Sequence, residues 1–475
     1  MTFLAGCTAV ASSSDVPASA TSPTLSWVPC PGAGGDQCAS VEVPVDYRHP
    51  GHGVLSIEVI RHLATDPSAK KGVLIFNPGG PGESGVQIFP LFVALVPPAV
   101  QQDFDLVSFD VRGTGQSGQL RCGPGPGAVA AVAPAPDRTG SPLPGTAVFT
   151  RLAGRCLADD PLTRTVGTVD TARDLDRIRQ ALGVDRLDYY GLSYGTELGA
   201  VYATMFGSHV GAMVLDGAVD PLQSLSVQAT EEAPEIDAAL SHFFTTCGAD
   251  PTCPLRPDPK ALYDGLLARL AKAPLPAPGG GDATPVTLGD LETATLLYLS
   301  VPRYTPAFPA AVAAAARGHG GPLAKVAASF EEDIDGAPLA AAQWAITCQD
   351  APRHLGPVAA GTLAARLAAR FPPLGAEAVS NDLAGCVAWP RGASPVTAVH
   401  GPPTPALVIG NTVDPNTPHV AAVQLARALG SARLVTWEGV GHTWLLNGTD
   451  DPCMQDLVTA YLVDGRVPSP GTTCP

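Results

Sequence analysis

The chain has little charge. Asp, Glu, Lys and Arg make up 15% of 475 residues, and only five of the 28 basic residues are Lys. Acidic residues outnumber basic ones 44 to 28, a formal net charge of -16. A nucleic-acid-binding protein needs a basic face to neutralise phosphates, and nothing in this composition suggests one. No run of 18 apolar residues occurs, so no segment reads as a membrane-spanning helix. Cys-x-x-Cys is absent, and no Cys lies a short helical step from a His, which excludes the usual zinc spacings. Gly and Pro are plentiful, at 51 and 49, but without a Gly-X-Y period they do not make collagen. What remains is 45% hydrophobic residues on a long chain, enough to bury a large core and too many for a disordered one.

Eleven cysteines are many for a protein kept in a reducing compartment. Leu4-Ala5-Gly6-Cys7 has the form of a bacterial lipobox, in which the Cys becomes lipidated after cleavage. Thr8 to Pro23 follow as a Ser/Ala/Thr/Pro-rich tether. Only six residues precede Cys7, too few for a secretory signal, so this reading puts the true start upstream. With Cys7 set aside, ten cysteines remain. Pairing neighbours in sequence gives Cys30–Cys38, Cys122–Cys156, Cys247–Cys253, Cys348–Cys386 and Cys453–Cys474, one of about 945 connectivities. The expectation is an exported protein of the cell envelope, lipid-anchored or secreted.

Short apolar runs at 41–45, 55–62, 73–76 and 106–109 read as strands. Residues 123 to 150 lack periodicity and read as a long loop. From Thr168 the spacing of Val169, Ala172, Leu175, Ile178 and Leu182 is helical, and Gly183 closes the helix. Strands at 187–190 and 210–215 flank a helix at 196–205. After Pro221 the chain turns to Ala- and Leu-rich helical stretches broken by Pro-rich joints. Strand–helix alternation returns at 406–410, 419–429, 434–437 and 454–462. The expected class is α/β with a mainly parallel sheet. The expected division is a tether (1–23), a first part of the core (24–221), a helical cap (222–395) and a second part of the core (396–475).

Gly191-Leu192-Ser193-Tyr194-Gly195 falls between a strand and a helix, the context of a nucleophile elbow that lifts a serine above the sheet. In that architecture the acid and the histidine follow the serine in chain order. His442 lies in a Gly-rich turn after a strand and is the preferred base, with His419, at the head of a helix, as the rival. Asp414, just past the strand at 406–410, is the preferred acid. Asp216, which ends the strand at 210–215, is the alternative and reads better as a carboxylate satisfying turn N–H groups where the chain leaves for the cap. The oxyanion donors expected are the backbone N–H groups of Tyr194 and of Gly80, in the loop Asn77-Pro78-Gly79-Gly80-Pro81-Gly82.

Three signatures in order, Gly79 to Gly85, Asp110 to Ser117 and Gly191 to Gly195, resemble the proline-iminopeptidase branch of the α/β-hydrolases, peptidase family S33. The segment from Pro405 through Asp414 and His442 to Cys474 is similar to the secreted tripeptidyl aminopeptidases of high-GC bacteria. The resemblance implies an α/β-hydrolase fold with a helical cap between the sixth and seventh strands, and Ser193, Asp414 and His442 as the triad. The iminopeptidase proper has His before Gly-Gly-Pro-Gly where this chain has Asn77-Pro78, which fits the tripeptidyl branch. Asp110 and Arg112 are read as a buried structural pair. An aminopeptidase must also bind a free α-ammonium with an anion. Glu232 and Asp350 are the candidates, with Glu83, Glu231 and Glu235 as further ones. The expected reaction is release of short peptides, such as tripeptides, from peptide or protein N-termini through an acyl-enzyme. No metal or organic cofactor is implied, and no membrane contact beyond a lipid on Cys7. The rival readings are an envelope esterase or lipase with the same triad, for which Leu296, Leu297, Leu299 and Phe308 would supply apolar contacts, and a non-catalytic binding protein.

Overall fold

The computed structural model describes residues 25–31, 34–120, 122, 141–277, 285–332, 339–380, 383–387, 389 and 395–475. Cys7, the tether and residues 123–140 of the expected loop lie outside them.

Ten strands form one sheet: β1 (Val28–Pro29), β2 (Gln37–Pro44), β3 (Val54–His62), β4 (Gly72–Asn77), β5 (Phe104–Phe109), β6 (Leu187–Leu192), β7 (Val210–Asp216), β8 (Leu407–Val413), β9 (Arg433–Val440) and β10 (Thr472–Cys474). Their order is β1-β2-β3-β5-β4-β6-β7-β8-β9-β10. β1, β2 and β3 run antiparallel to their neighbours, and β5 through β10 form a parallel block. The central strands are buried on both sides, which is why they read as continuous apolar runs. Alternate residues serve opposite faces: Val73 and Ile75 join one core cluster, Leu74 and Phe76 the other.

The helices that position the site are α1 (Gly85–Leu95), α2 (Thr146–Asp159), α3 (Thr168–Leu182), α4 (Tyr194–Phe206), α5 (Leu225–Ala249), α6 (Leu288–Ser300), α7 (Leu339–Asp350), α8 (His419–Leu429), α9 (Trp444–Asn447) and α10 (Pro452–Asp464). α3 ends as its sequence demands, with Gly183 in the left-handed region (φ 71°) and its N–H bonded back into the last turn. α2 begins inside the stretch read as loop, so residues 146–150 are helical. Between β7 and β8 the regular elements among the described residues are helices, with one isolated bridge between Leu275 and Val286 in the connection before α6. Counted from β2, these helices stand between the sixth and seventh strands. Their apolar faces share one core cluster with the adjacent sheet face.

The five disulfides join Cys30 to Cys38, Cys122 to Cys156, Cys247 to Cys253, Cys348 to Cys386 and Cys453 to Cys474, the pairing of sequence neighbours. The last one ties the first turn of α10 to β10, a strand that sequence patterning did not reveal. Three residues are too few to show a period of two, and β10 exists because it pairs with β9.

Candidate active site

Four adjacent parallel strands end at one level: Gly191 of β6 faces Leu215 of β7, Asp216 of β7 faces Ile409 of β8, and Asn411 of β8 faces Trp437 of β9. The loops beyond these ends carry Ser193, Asp414 and His442, so residues up to 249 positions apart converge at one sheet edge.

Ser193 sits at φ 54°, ψ -124°, directly before α4. A non-glycine residue held there costs about 1–3 kcal/mol and persists only where its surroundings enforce it. Ser193 N–H donates to Asp216 O at 2.9 Å, and the Tyr189 hydroxyl donates to Gly195 O at 2.7 Å. The β4 loop closes over this turn. A Cβ on Gly79 (φ 102°) would lie 2.6 Å from Leu192 O, 2.9 Å from Ser193 Cβ and 3.2 Å from Tyr194 N, so only glycine fits. The loop residue touching the elbow is thus Gly79, with Gly80 its neighbour. Asn77, 1% exposed, accepts the Gly79 N–H on Oδ1 at 3.2 Å and steadies the start of the loop.

Asp414 is fully buried, and its carboxylate lies 3.0 and 3.1 Å from His442 Nδ1. Oδ1 also accepts the N–H groups of Asn416 and Thr417, both at 2.9 Å, and Oδ2 accepts the Thr417 hydroxyl at 3.0 Å. These bonds leave the carboxylate one orientation. His442 N–H donates to Ser300 O, the last residue of α6, at 2.7 Å. Asn447 Nδ2 donates to the same carbonyl at 3.0 Å and to His442 O at 2.7 Å. The histidine loop is therefore held by the acid on one side and by a helix between β7 and β8 on the other.

Asp216 accepts the N–H groups of Trp444 and Leu445 at 2.8 and 2.9 Å and the Tyr190 hydroxyl at 3.2 Å. It satisfies turn N–H groups as expected, but those of the histidine loop, not those of the turn where the chain leaves β7. His419 Nε2 is 2.9 Å from Thr436 Oγ1, on the side of the sheet.

Burial opposes protonation of His442. The charge and hydrogen bond of Asp414 and the charges of Asp216 and Glu83 outweigh it, and the imidazole pKa rises above its ordinary 6.5. Burial pushes Asp216 up to about 6 and Glu83 up to about 7, against the pull of His442 on each.

Residues 372–474 match the family model described as TAP-like protein. A "Serine protease Hip1" of Mycobacterium tuberculosis is 32% identical over 95% of this chain and 91% of that protein. The chain belongs to this family of TAP-like serine hydrolases. A "Carboxylesterase B" of Mycobacterium tuberculosis is 34% identical over 92% of this chain and 86% of its own length. A "Tripeptidyl aminopeptidase" of Streptomyces lividans is 31% identical over 92% and 83%.

In this TAP-like hydrolase the remaining acidic candidates separate by environment. Glu235, half-buried on α5, is raised by burial and then by the charge of Asp414, which places it within electrostatic reach of the site. Glu83, in the β4 loop, is within such reach of His442. Glu232 is 3% exposed on α5. Glu231 accepts from Gln223 at 2.7 Å and Gln424 at 3.3 Å. Asp350 is 5% exposed and occupied by Thr168, whose N–H lies 2.9 Å from Oδ1 and whose hydroxyl lies 2.7 Å from Oδ2. These bonds make it a poor anion for a ligand, contrary to the expected substrate contact.

Asp110 and Arg112 are both buried, but they are not a pair. Asp110 accepts the Ser84 hydroxyl at 2.6 Å and the N–H groups of Val86 and Gln116 at 3.1 and 2.8 Å. Arg112 forms a bidentate pair with Asp174 of α3, both contacts at 2.6 Å. Asp110 directly follows β5 and Arg112 opens the next turn, and the two side chains have different neighbours. Of the apolar residues offered for acyl chains, Phe308 and Leu299 are 0% and 3% exposed and belong to the core.

Sequence reasoning missed Thr417, Ser300 and Asn447. Thr417 had a signal, a hydroxyl three residues after an Asp in a turn. Ser300 had none, because its contact with His442 closes across 142 residues.

Proposed function

We propose that the chain is a serine exopeptidase that releases short peptides from free N-termini through an acyl-enzyme. The observation that carries this reading is the convergence of Ser193, the Asp414–His442 pair and the Gly79–Tyr194 contact at one sheet edge. Ser193 Oγ attacks the scissile carbonyl while His442 Nε2 takes its proton. Asp414 keeps the proton of the neutral imidazole on Nδ1 and stabilises the imidazolium. The N–H groups of Tyr194 and of the Gly79–Gly80 turn receive the oxyanion. His442 then protonates the leaving amine, and water repeats the cycle in reverse to free Ser193. The helices of residues 222–395 serve as the cap, and Glu83, Glu232 and Glu235 are the anions for the substrate ammonium. Five disulfides support export, and a lipid on Cys7 belongs to the same proposal.

The test compares an N-terminally free tripeptide anilide with its N-acetylated form. The free form should be cleaved at least about tenfold faster, since an ammonium–carboxylate contact is worth roughly 1.5–3 kcal/mol. Equal rates would remove the aminopeptidase reading. The carboxylesterase relative favours one alternative, an esterase with the same residues. Rapid p-nitrophenyl butyrate hydrolysis without anilide cleavage would establish it.

Because the base must be neutral, activity should fall with decreasing pH from a point above 6.5, where imidazolium already forms. A kcat/KM profile flat between about pH 5 and 8 would rule out His442 as the base.

A further inference from the structure

Asp350 does not suit a substrate contact, yet it is placed where it matters. It is the last residue of α7, 182 positions from Thr168, the first residue of α3. Gly167, which precedes α3, offers no side chain to cap it, and a Cβ there would lie 3.0 Å from Asp350 Oδ1. The carboxylate takes the place of the missing cap and receives the Thr168 N–H, 2.9 Å from Oδ1 and 3.2 Å from Oδ2.

Thr168 Oγ1 lies 2.7 Å from Asp350 Oδ2 and 2.5 Å from the Tyr194 hydroxyl. A hydroxyl has one proton. Thr168 donates that proton to Asp350 Oδ2, so the Tyr194 hydroxyl is the donor to Thr168. The chain therefore runs Tyr194 to Thr168 to Asp350, all three nearly or fully buried. Tyr194 is the residue whose backbone N–H stands at the Ser193 turn. Its hydroxyl meets Thr168 from the first turn of α4, and in the same turn Gly195 O accepts the Tyr189 hydroxyl at 2.7 Å.

We infer that Asp350 is a positioning residue: through Thr168 and the Tyr194 hydroxyl it fixes the Ser193–Tyr194 peptide so that the Tyr194 N–H points at the developing oxyanion. The anchor comes from a helix inserted between β7 and β8, so the oxyanion donor is set from the same inserted segment that holds the His442 loop through Ser300. This inference rests on the proposed acyl-transfer reading of Ser193 and Tyr194.

The test uses the full-length enzyme with whichever substrate it turns over, anilide or butyrate ester, and Tyr194→Phe, Thr168→Val and Asp350→Asn. Each should lower kcat about tenfold, less than the roughly 100–1,000-fold of deleting an oxyanion donor, with KM unchanged. Affinity for a peptide aldehyde, whose adduct carries the tetrahedral oxygen, should weaken in proportion to kcat/KM across the series. Thr168→Ser keeps the hydroxyl and should restore turnover. Wild-type kcat and aldehyde affinity in Tyr194→Phe would overturn the inference. So would a loss confined to KM in Asp350→Asn, which would make it a substrate contact, or equal losses in Thr168→Ser and Thr168→Val. Failure of the underlying reading looks different, because Ser193→Ala would then remain active whatever these variants do.

Discussion

Ser193→Ala should lower kcat by roughly a millionfold, and His442→Ala by a similar factor, while the double variant should be no worse than either. In the proposed mechanism serine and imidazole act as one unit: without the base the hydroxyl is a weak nucleophile, and without the hydroxyl the base has no proton to take. The residual rate would come from the oxyanion donors and from substrate binding alone. Steady-state turnover and fluorophosphonate labelling, read on the same preparations, check this. Labelling of Ser193→Ala at the wild-type rate would assign the nucleophile elsewhere. The backbone adds a second readout. Ser193 is held at φ 54°, where glycine is at ease. Ser193→Gly should therefore be inactive but more stable to thermal unfolding than Ser193→Ala, by about 1–2 kcal/mol. The pair separates the chemical role of the side chain from the conformational cost of placing it.

Asp414→Asn should lower kcat by roughly ten-thousandfold. The native carboxylate accepts from three backbone N–H groups, those of Asn416, Thr417 and Thr443, from one hydroxyl and from His442 Nδ1, and it is fully buried. An amide turns one of those acceptors into a donor. Whichever way it faces, an N–H meets either backbone N–H groups or the imidazole, and the imidazole is pushed toward the wrong tautomer. Loss of the negative charge also removes the main attraction that raises the His442 pKa. The surviving activity should thus show its acid limb at lower pH than wild type. Asp216→Asn is the comparison. Asp216 bonds the backbone of Trp444 and Leu445 and only influences His442 through space, so turnover should fall far less. A greater loss in Asp216→Asn than in Asp414→Asn would reverse the assignment of the acid.

The regular elements were legible where local physics dominates. β4 and β5 announce themselves as short apolar runs ended by Gly/Pro or Asp turns, and α3 by helical spacing with a closing glycine. α8 begins and ends at the residues its pattern suggests. The sharp turn at Ser193 was legible because a glycine-flanked serine falls between a strand pattern and a helix pattern, and the structure has that strand and that helix. His442 and Asp414 followed from chain order and from their places after β8 and β9. Pairings across the sheet were not legible in the same way. Arg112 pairs with Asp174 and not with Asp110, because two carboxylates compete for one guanidinium and only the packing of α3 decides between them.

The sequence by itself determined the fold class and the strand–turn–helix around Ser193, and it offered a candidate triad, since each depends on residues near one another or on strand ends that a parallel sheet must bring together; the pairing of sequence neighbours among ten cysteines was one of about 945 connectivities until the structure joined them. The tertiary structure alone decided which acid faces His442, that Gly79 touches the elbow, that Asp350 caps α3 and reaches the Tyr194 hydroxyl through Thr168, and that Ser300 holds the histidine loop. These contacts join residues far apart in sequence. Nothing local distinguishes one buried carboxylate or carbonyl from another until packing selects its partner.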